Sequence, residues 1–482
     1  MSESPAPPLP ARGQVFVICI VIAAMTILDI SKVNVALPYL QRVLDAGPTA
    51  LQLIVAGYTL AFGLALVPAG RYGDLQSRRR MFLIGIVLFA VASLACTLAP
   101  EQYSLVAGRL VQGLAAGLIM PQVFGTLQQL YTGPERGRAF GTFGAVLGLS
   151  VAFGPVLGGA LIALGGDELG WRLLFAMNIP IAVVVLPLAM RAFPRNPPLS
   201  DGRVDIDPVG ILLLGAAVVA LMLPFVFTTG SPDDDPRRWL TLVAFAVLIV
   251  LFVLWERRYS ARGGTPLIEL SLFRIAGFRH GISIGAFYIG GFPALILTTT
   301  LFVQLGLGLS PLISGLISAV IAVLSALGSW WSGRLVHRIG QQLLVGGVAI
   351  VIAGILVCMI TALLLPRELA PWGIVAGFVV GGMGAGLVTT TNQTLTIEDV
   401  PVSQGGLAGS IGQVGQRIGT AIGVAMASSA FYGTVSVELA GEGAEVAYHD
   451  AYRNGMLVVL ALMAGALAVG LVDLRRRRSV HR

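Results

Sequence analysis

Predominantly apolar runs of about twenty residues or more recur along the whole chain, separated by short loops rich in Pro, Asp and Arg. The first extends from Gln14 to Leu40 and the last from Met456 to Leu474. At ~1.5 Å per residue, a helix of that length crosses the ~30 Å hydrocarbon core of a bilayer. We count fourteen such runs, which predicts an all-α polytopic membrane protein with 14 transmembrane helices. They group as six from Gln14 to Phe193, two from Pro208 to Trp255 and six from Phe278 to Leu474. The expected plan is an N-terminal six-helix bundle over residues 1–195, a linker with two extra transmembrane helices over 196–276, and a C-terminal six-helix bundle with a basic cytoplasmic tail over 277–482. The segments from Pro194 to Pro208 and from Glu256 to Phe273, polar and punctuated by Pro or Gly, mark the linkers.

Composition agrees with lipid as the solvent, since 56% of the 482 residues are hydrophobic and only 11% charged, against roughly 25% charged in soluble proteins. The leader from Met1 to Gly13 carries one Arg, and the run after it is too long for a signal-peptide core, so that run is expected to stay as a membrane anchor. Cys19, Cys96 and Cys358 lie in apolar runs without metal-ligand spacing, which predicts packing residues and no metal site. The net charge of +7 is informative through its placement. With the N-terminus inside, Arg71 and Arg78 to Arg80, Arg136 and Arg138, Arg191, Arg195 and Arg203, Arg257 and Arg258, Arg334 and Arg338, and Arg475 to Arg478 fall on the cytoplasmic side, whereas Asp233 to Asp235, Glu438, Glu442 and Glu445 fall outside. This pattern predicts a multi-pass protein of the plasma membrane with both termini cytoplasmic, and it argues against nucleic acid as a partner.

The two groups of six contain an internal echo, a common way of building secondary transporters. Val106 to Leu118 aligns without a gap on Val375 to Leu387, keeping most glycines and alanines but replacing Arg109 by Phe378 and Gln112 by Gly381. The echo therefore preserves close helix packing while the polar chemistry belongs to the first half.

Few charges lie deep in the runs: Asp29, Lys32, Arg109 and, nearer a cytoplasmic end, Arg417. Each costs roughly 2.5–3.5 kcal/mol on an insertion scale, so each needs a partner or water. At ~1.5 Å per residue, Asp29 lies about 14 Å from the outer end of its span near Pro38, and Arg109 about 9 Å from the outer end of its own near Tyr103, depths at which their side chains could share a layer. Asp29, Lys32 and Arg109 are the proton-coupling candidates, Asp29 exchanging the proton and Arg109 biasing it; an ion pair that only fixes helix packing is the alternative. Lys32, the chain's single lysine, stands one turn from Asp29 on nearly the same face. Three readings stay open for it: a structural partner of Asp29, a share in proton coupling, or recognition of an anionic substrate group. Polar or aromatic candidates for a substrate cavity are Asn34, Tyr58, Gln112, Gln122, Tyr288, Gln304, Asn392 and Gln413, each also readable as a helix-helix hydrogen bond.

The loop from Gly70 to Arg80, with Gly70, Asp74, Arg78 and Arg79, resembles the signature of the major facilitator superfamily between its second and third helices, although Ser77 stands where a glycine is usual. Arg109, Gln112, Gly113 and Gly117 resemble its proton-coupling motif. Gly148, Gly154, Pro155, Gly158 and Gly159 resemble the antiporter motif of span five. Leu28-Asp29 with Val33 to Pro38, Trp171-Arg172 with Phe175 and Asn178-Ile179-Pro180, and Gln416 to Gly419 with Arg417 complete a likeness to the fourteen-helix drug:proton antiporters, from which Lys32 departs. The likeness implies two six-helix bundles alternating around a central cavity, Asp74 anchoring a conformational latch, and efflux of a hydrophobic or amphiphilic small molecule, as in multidrug resistance. No cofactor is implied, since the proton gradient drives transport; the partners are protons, the small molecule and the bilayer, and the chain is expected to act as a monomer. With no Gly-Lys-Ser/Thr phosphate loop, neither ATP-driven pumping nor enzyme catalysis is expected. A proton symporter importing a nutrient and a non-transporting membrane receptor or lipid-binding scaffold are the rival readings.

Overall fold

The structure, a computed structural model, describes residues 9–194, 207–226, 236–438 and 443–480. The linker residues 195–206, and with them Arg195 and Arg203, lie outside the described residues, as do Asp233 to Asp235 and Glu442. The described chain is helical throughout: α1 (Leu9–Val43), α2 (Pro48–Tyr72), α3 (Arg78–Thr97), α4 (Gln102–Leu130), α5 (Gly133–Ala176), α6 (Asn178–Ala192), α7 (Pro208–Val226), α8 (Thr241–Ala261), α9 (Ala276–Leu301), α10 (Pro311–Leu364), α11 (Ala370–Thr396), α12 (Gly405–Glu438) and α13 (Ala444–Val480). Eleven helical stretches among the described residues are long and apolar enough to cross a membrane, making this a multi-pass protein. Two of them, Ala50–Thr97 with 48 residues and Ile313–Leu364 with 52, are unusually long.

Local chemistry explains the joints. Ser77 accepts a hydrogen bond from the Arg80 amide at the start of α3, Ser310 does the same for Ile313 at α10, and Glu101 with Ser104 forms a capping box on α4. The long helix α5 bends at Gly166, whose φ of 66° suits a residue without Cβ, and α10 bends at Ile339. A π-helical turn, Gly73–Ser77, links α2 to α3 and re-aims the chain by one extra residue per turn.

α1 packs on α5 and α6, α2 on α4, α10 on α11, and α9 on α12 and α13. Contacts also run between the early and late helices: α12 lies against α2 and α4, and α10 against α5. The α2–α12 approach is close, because a Cβ at Gly70 would run into Ser410 Oγ and stand 2.8 Å from the Gly406 carbonyl. The pair α7–α8 is pinned by Trp255, whose indole N–H donates to Asp207 at 2.8 Å, and α7 rests on α2 and α12.

Candidate functional site

The three deep charges of the first half meet in one sealed knot. Asp29 and Lys32 project from α1, Arg109 and Gln112 from α4, Ser93 from α3 and Asn178 from the start of α6, and all six are buried. The Lys32 ammonium donates to Asp29 Oδ1 and to Asn178 Oδ1, both at 2.9 Å. Arg109 Nη1 donates to the other carboxylate oxygen of Asp29 and to Gln112 Oε1 at 2.8 Å, while its Nε donates to the Ile54 carbonyl at 2.9 Å. The Asn178 amide donates to Asp29 Oδ1 at 2.8 Å, and Gln112 Nε2 donates to Ser93 Oγ at 2.9 Å. Each oxygen of the one carboxylate thus has a cation on it, and the ionised knot carries one net positive charge.

An apolar wall of Val33, Cys96, Trp171 and Phe175 closes one side of the knot. Tyr58 closes another: its ring lies 4.2 Å under the Arg109 guanidinium, and its hydroxyl donates to the Thr26 carbonyl at 3.0 Å. Excluding water this way strengthens the ionic contacts and makes any unpaired charge expensive.

The glycines of α5 are what allow α1 to sit so near. A Cβ at Gly154 would collide with Ser31 Oγ, and one at Gly158 would stand 3.0 Å from the Lys32 carbonyl. Gly159 has no atom within 4 Å of that position, and Gly148 has only the Ala322 carbonyl at 4.0 Å. Two of the four motif glycines therefore press on α1 at Ser31 and Lys32.

At the other end of α2, Asp74 reaches across to α12. Its carboxylate accepts from the Gly406 amide at 3.2 Å and the Leu407 amide at 2.8 Å, at the N-terminal end of that helix, and from Arg78 Nε at 2.9 Å. Arg78 also donates to the carbonyls of Gly125 and Val402, at 2.8 and 2.6 Å. Arg79 points elsewhere, to the Met190 carbonyl of α6 at 2.5 Å.

The cavity candidates scatter. Tyr58 and Gln112 belong to the knot; Gln122 donates to Ala69 O at 2.9 Å and Tyr288 to Ala385 O at 3.1 Å. Asn34 is exposed and Gln304 half-buried, neither lining the central space. Gln413 does line a cavity of about 150 Å³, together with Ile27, Phe124, Gln393, Gln416 and Arg417. Asn392 borders a smaller crevice that shares Phe124, Gln393, Gln413 and Gln416 with it. Arg417 rests on Phe62, its guanidinium carbon 4.7 Å from the ring centre.

Asn178 and Ser93 were not among the site residues expected from sequence. Asn178 had a signal, a lone amide opening an otherwise apolar helix; Ser93 had none.

A profile of the Major Facilitator Superfamily matches residues 19–424. The chain belongs to the Major Facilitator Superfamily. Among its relatives, a probable actinorhodin transporter of Streptomyces coelicolor is 32% identical over 89% of this chain and 74% of that protein. A puromycin resistance protein of Streptomyces alboniger is 31% identical over 95% and 90%, and a multidrug efflux pump of Mycolicibacterium smegmatis is 29% identical over 88% and 81%. The superfamily fold recurs in the human organic anion transporter MFSD10 (TM-score 0.62, 15% identity, 95% of this chain and 100% of that one). It recurs also in the proton:xylose symporter XylE (TM-score 0.59, 16% identity, 94% and 95%). As a member of the superfamily the chain is a transporter, not an enzyme.

Proposed function

We propose that the chain exports an amphiphilic small molecule in exchange for protons, by alternating access between bundles formed by residues 1–195 and 277–482, with two linker helices in 196–276. The observation that carries this reading is the knot itself, one carboxylate held between two cations with no exposure to water. Protonating Asp29 in this arrangement would leave two buried cations without a counter-charge, so proton uptake is tied to a rearrangement that moves Arg109 or Lys32 or takes the proton from Lys32. That tie between a proton and a conformation is what an antiporter needs. Export is the direction named for the multidrug efflux relative, and it accords with the α5 motif packed on α1.

Fourteen crossings are supported by length: Ala50–Thr97 and Ile313–Leu364 each have more than twice the ~20 residues one crossing needs, and Pro208–Pro224 adds a shorter apolar helix to the eleven stretches. The arginine-rich loops favour cytoplasmic termini and a plasma-membrane location, and the chain is self-sufficient as a monomer in this reading. Asp74 and Arg78, joined to the start of α12, act as the latch that holds one of the two states.

Proteoliposomes test the direction. With the lumen acid relative to the outside, antiport accumulates an aromatic amphiphile inside the vesicles; accumulation only when the outside is acid would make the chain a symporter.

A further inference from the structure

Arg417 is unlike the other deep charges because, among the described residues, no carboxylate faces it. Arg109 and Lys32 share Asp29, and Arg78 has Asp74, whereas Arg417 has only the face of Phe62. It also lines the cavity of about 150 Å³ that lies where α1, α4, α5, α9, α11 and α12 converge, as the only charged residue on that lining.

Two neighbouring amides make the same demand. Gln413 Nε2, a donor, and Gln393 Oε1, an acceptor, are buried on this cavity without a hydrogen-bond partner among the described residues. A cation and an amide donor waiting on one side, with an acceptor nearby, fit an oxyanion carrying or flanked by a hydroxyl group. The remaining lining includes Ile27, Met120, Phe124, Leu147 and Ile289, an apolar bed for a flat ring system.

The surrounding field has one sign. Arg417 sits on Phe62, Phe62 stacks on Tyr58 at 6.3 Å between ring centres, and Tyr58 lies under Arg109. Behind that aromatic pair the knot contributes a further net positive charge rather than an acceptor for a cation. Lys32 itself, engaged by Asp29 and Asn178, has no place on the cavity lining, so anion recognition falls to Arg417.

We infer that the cavity beside Arg417 binds the anionic head of the transported molecule, and that its substrates are carboxylate- or phenolate-bearing aromatic amphiphiles rather than cationic ones. This rests on the export reading above for the use of the site, but binding is measurable without transport. Equilibrium dialysis of the purified full chain against tritiated 2-naphthoate and the matched cation 2-naphthylmethylammonium tests it. Wild type is expected to prefer naphthoate, and Arg417→Gln to bind it at least about tenfold more weakly, the loss of one charge-assisted hydrogen bond. Arg417→Lys, which keeps the positive charge, is expected to recover part of that loss. Preference for the cation, equal naphthoate binding by wild type and Arg417→Gln, or saturable binding of neither probe overturns the assignment. Naphthoate preference without proton-driven flux in proteoliposomes would instead leave the assignment standing and sink the antiport reading.

Discussion

The Lys32 ammonium stands 2.9 Å from Oδ1 of Asp29, one helical turn away on the same span, and neither side chain has any exposed surface. With Arg109 on the second carboxylate oxygen, Asp29 answers two cations. Removing the carboxylate is therefore two experiments at once, on charge balance in the fold and on proton coupling. Breaking a buried pair by deleting one partner typically costs 3–5 kcal/mol, so Asp29→Asn is expected to lower the thermal midpoint by roughly that equivalent. Asp29→Asn/Lys32→Met, which removes the surplus cation, is expected to recover most of the loss in a melting experiment; equal melting of the single and double variants would contradict the pairing.

Lys32→Met alone leaves Asp29 facing Arg109 one to one. A carboxylate opposed by one cation rather than two accepts a proton at lower proton concentration, so the half-maximal pH of coupled transport is expected to move toward alkaline values. The measurement is export rate against pH in proteoliposomes. A shift toward acid would show that Lys32 is not holding the Asp29 charge.

Asn178 ties the knot to α6 through Lys32, Asp29 and Ser93. Asn178→Leu, of similar size, would leave the ammonium one acceptor short, a loss of about 1–3 kcal/mol in stability together with weakened coupling. Unchanged melting and unchanged transport would remove Asn178 from the site.

The two kinds of glycine in α5 separate packing from sequence pattern. Gly158→Val crowds the Lys32 backbone, and overpacking of this kind costs typically 1–3 kcal/mol, so transport should fall steeply. Gly159→Ala meets no atom within 4 Å and should transport like wild type. Transport assays on the two variants at matched expression check the contrast.

Much of this was legible before the structure because lipid makes two signals loud. Apolar runs of membrane-crossing length have few alternative folds, and Asp29, Lys32 and Arg109 stood out as charges in such runs. Neutral polar groups give no comparable signal, which is why Ser93 was missed and why the cavity candidates scattered. The kink at Ile339 falls close to the break between the two runs that the pattern marks there, so α10 is two helices joined at that residue. Arg417 was visible as a charge, but its cavity draws on Ile27, Phe124 and Gln393, residues whose proximity only the fold creates.

Asp74 offers a test of the latch. Its bonds to the Gly406 and Leu407 amides and to Arg78 join the α2–α3 turn to α12. Hydrogen bonds to charged groups contribute about 1.5–3 kcal/mol each, so Asp74→Ala is expected to shift the conformational balance tenfold or more. Spin labels placed in the α2–α3 turn and at the start of α12 should report a longer mean distance in the variant; an unchanged distribution would leave Asp74 without a latch role.

Asp29 is the proposed proton carrier. The direct measurement is substrate-driven proton flux in proteoliposomes containing Asp29→Asn/Lys32→Met, chosen because charge balance in the knot is kept. The expected result is a folded protein that binds an aromatic amphiphile and moves no protons with it. Proton flux equal to wild type would rule Asp29 out as the carrier.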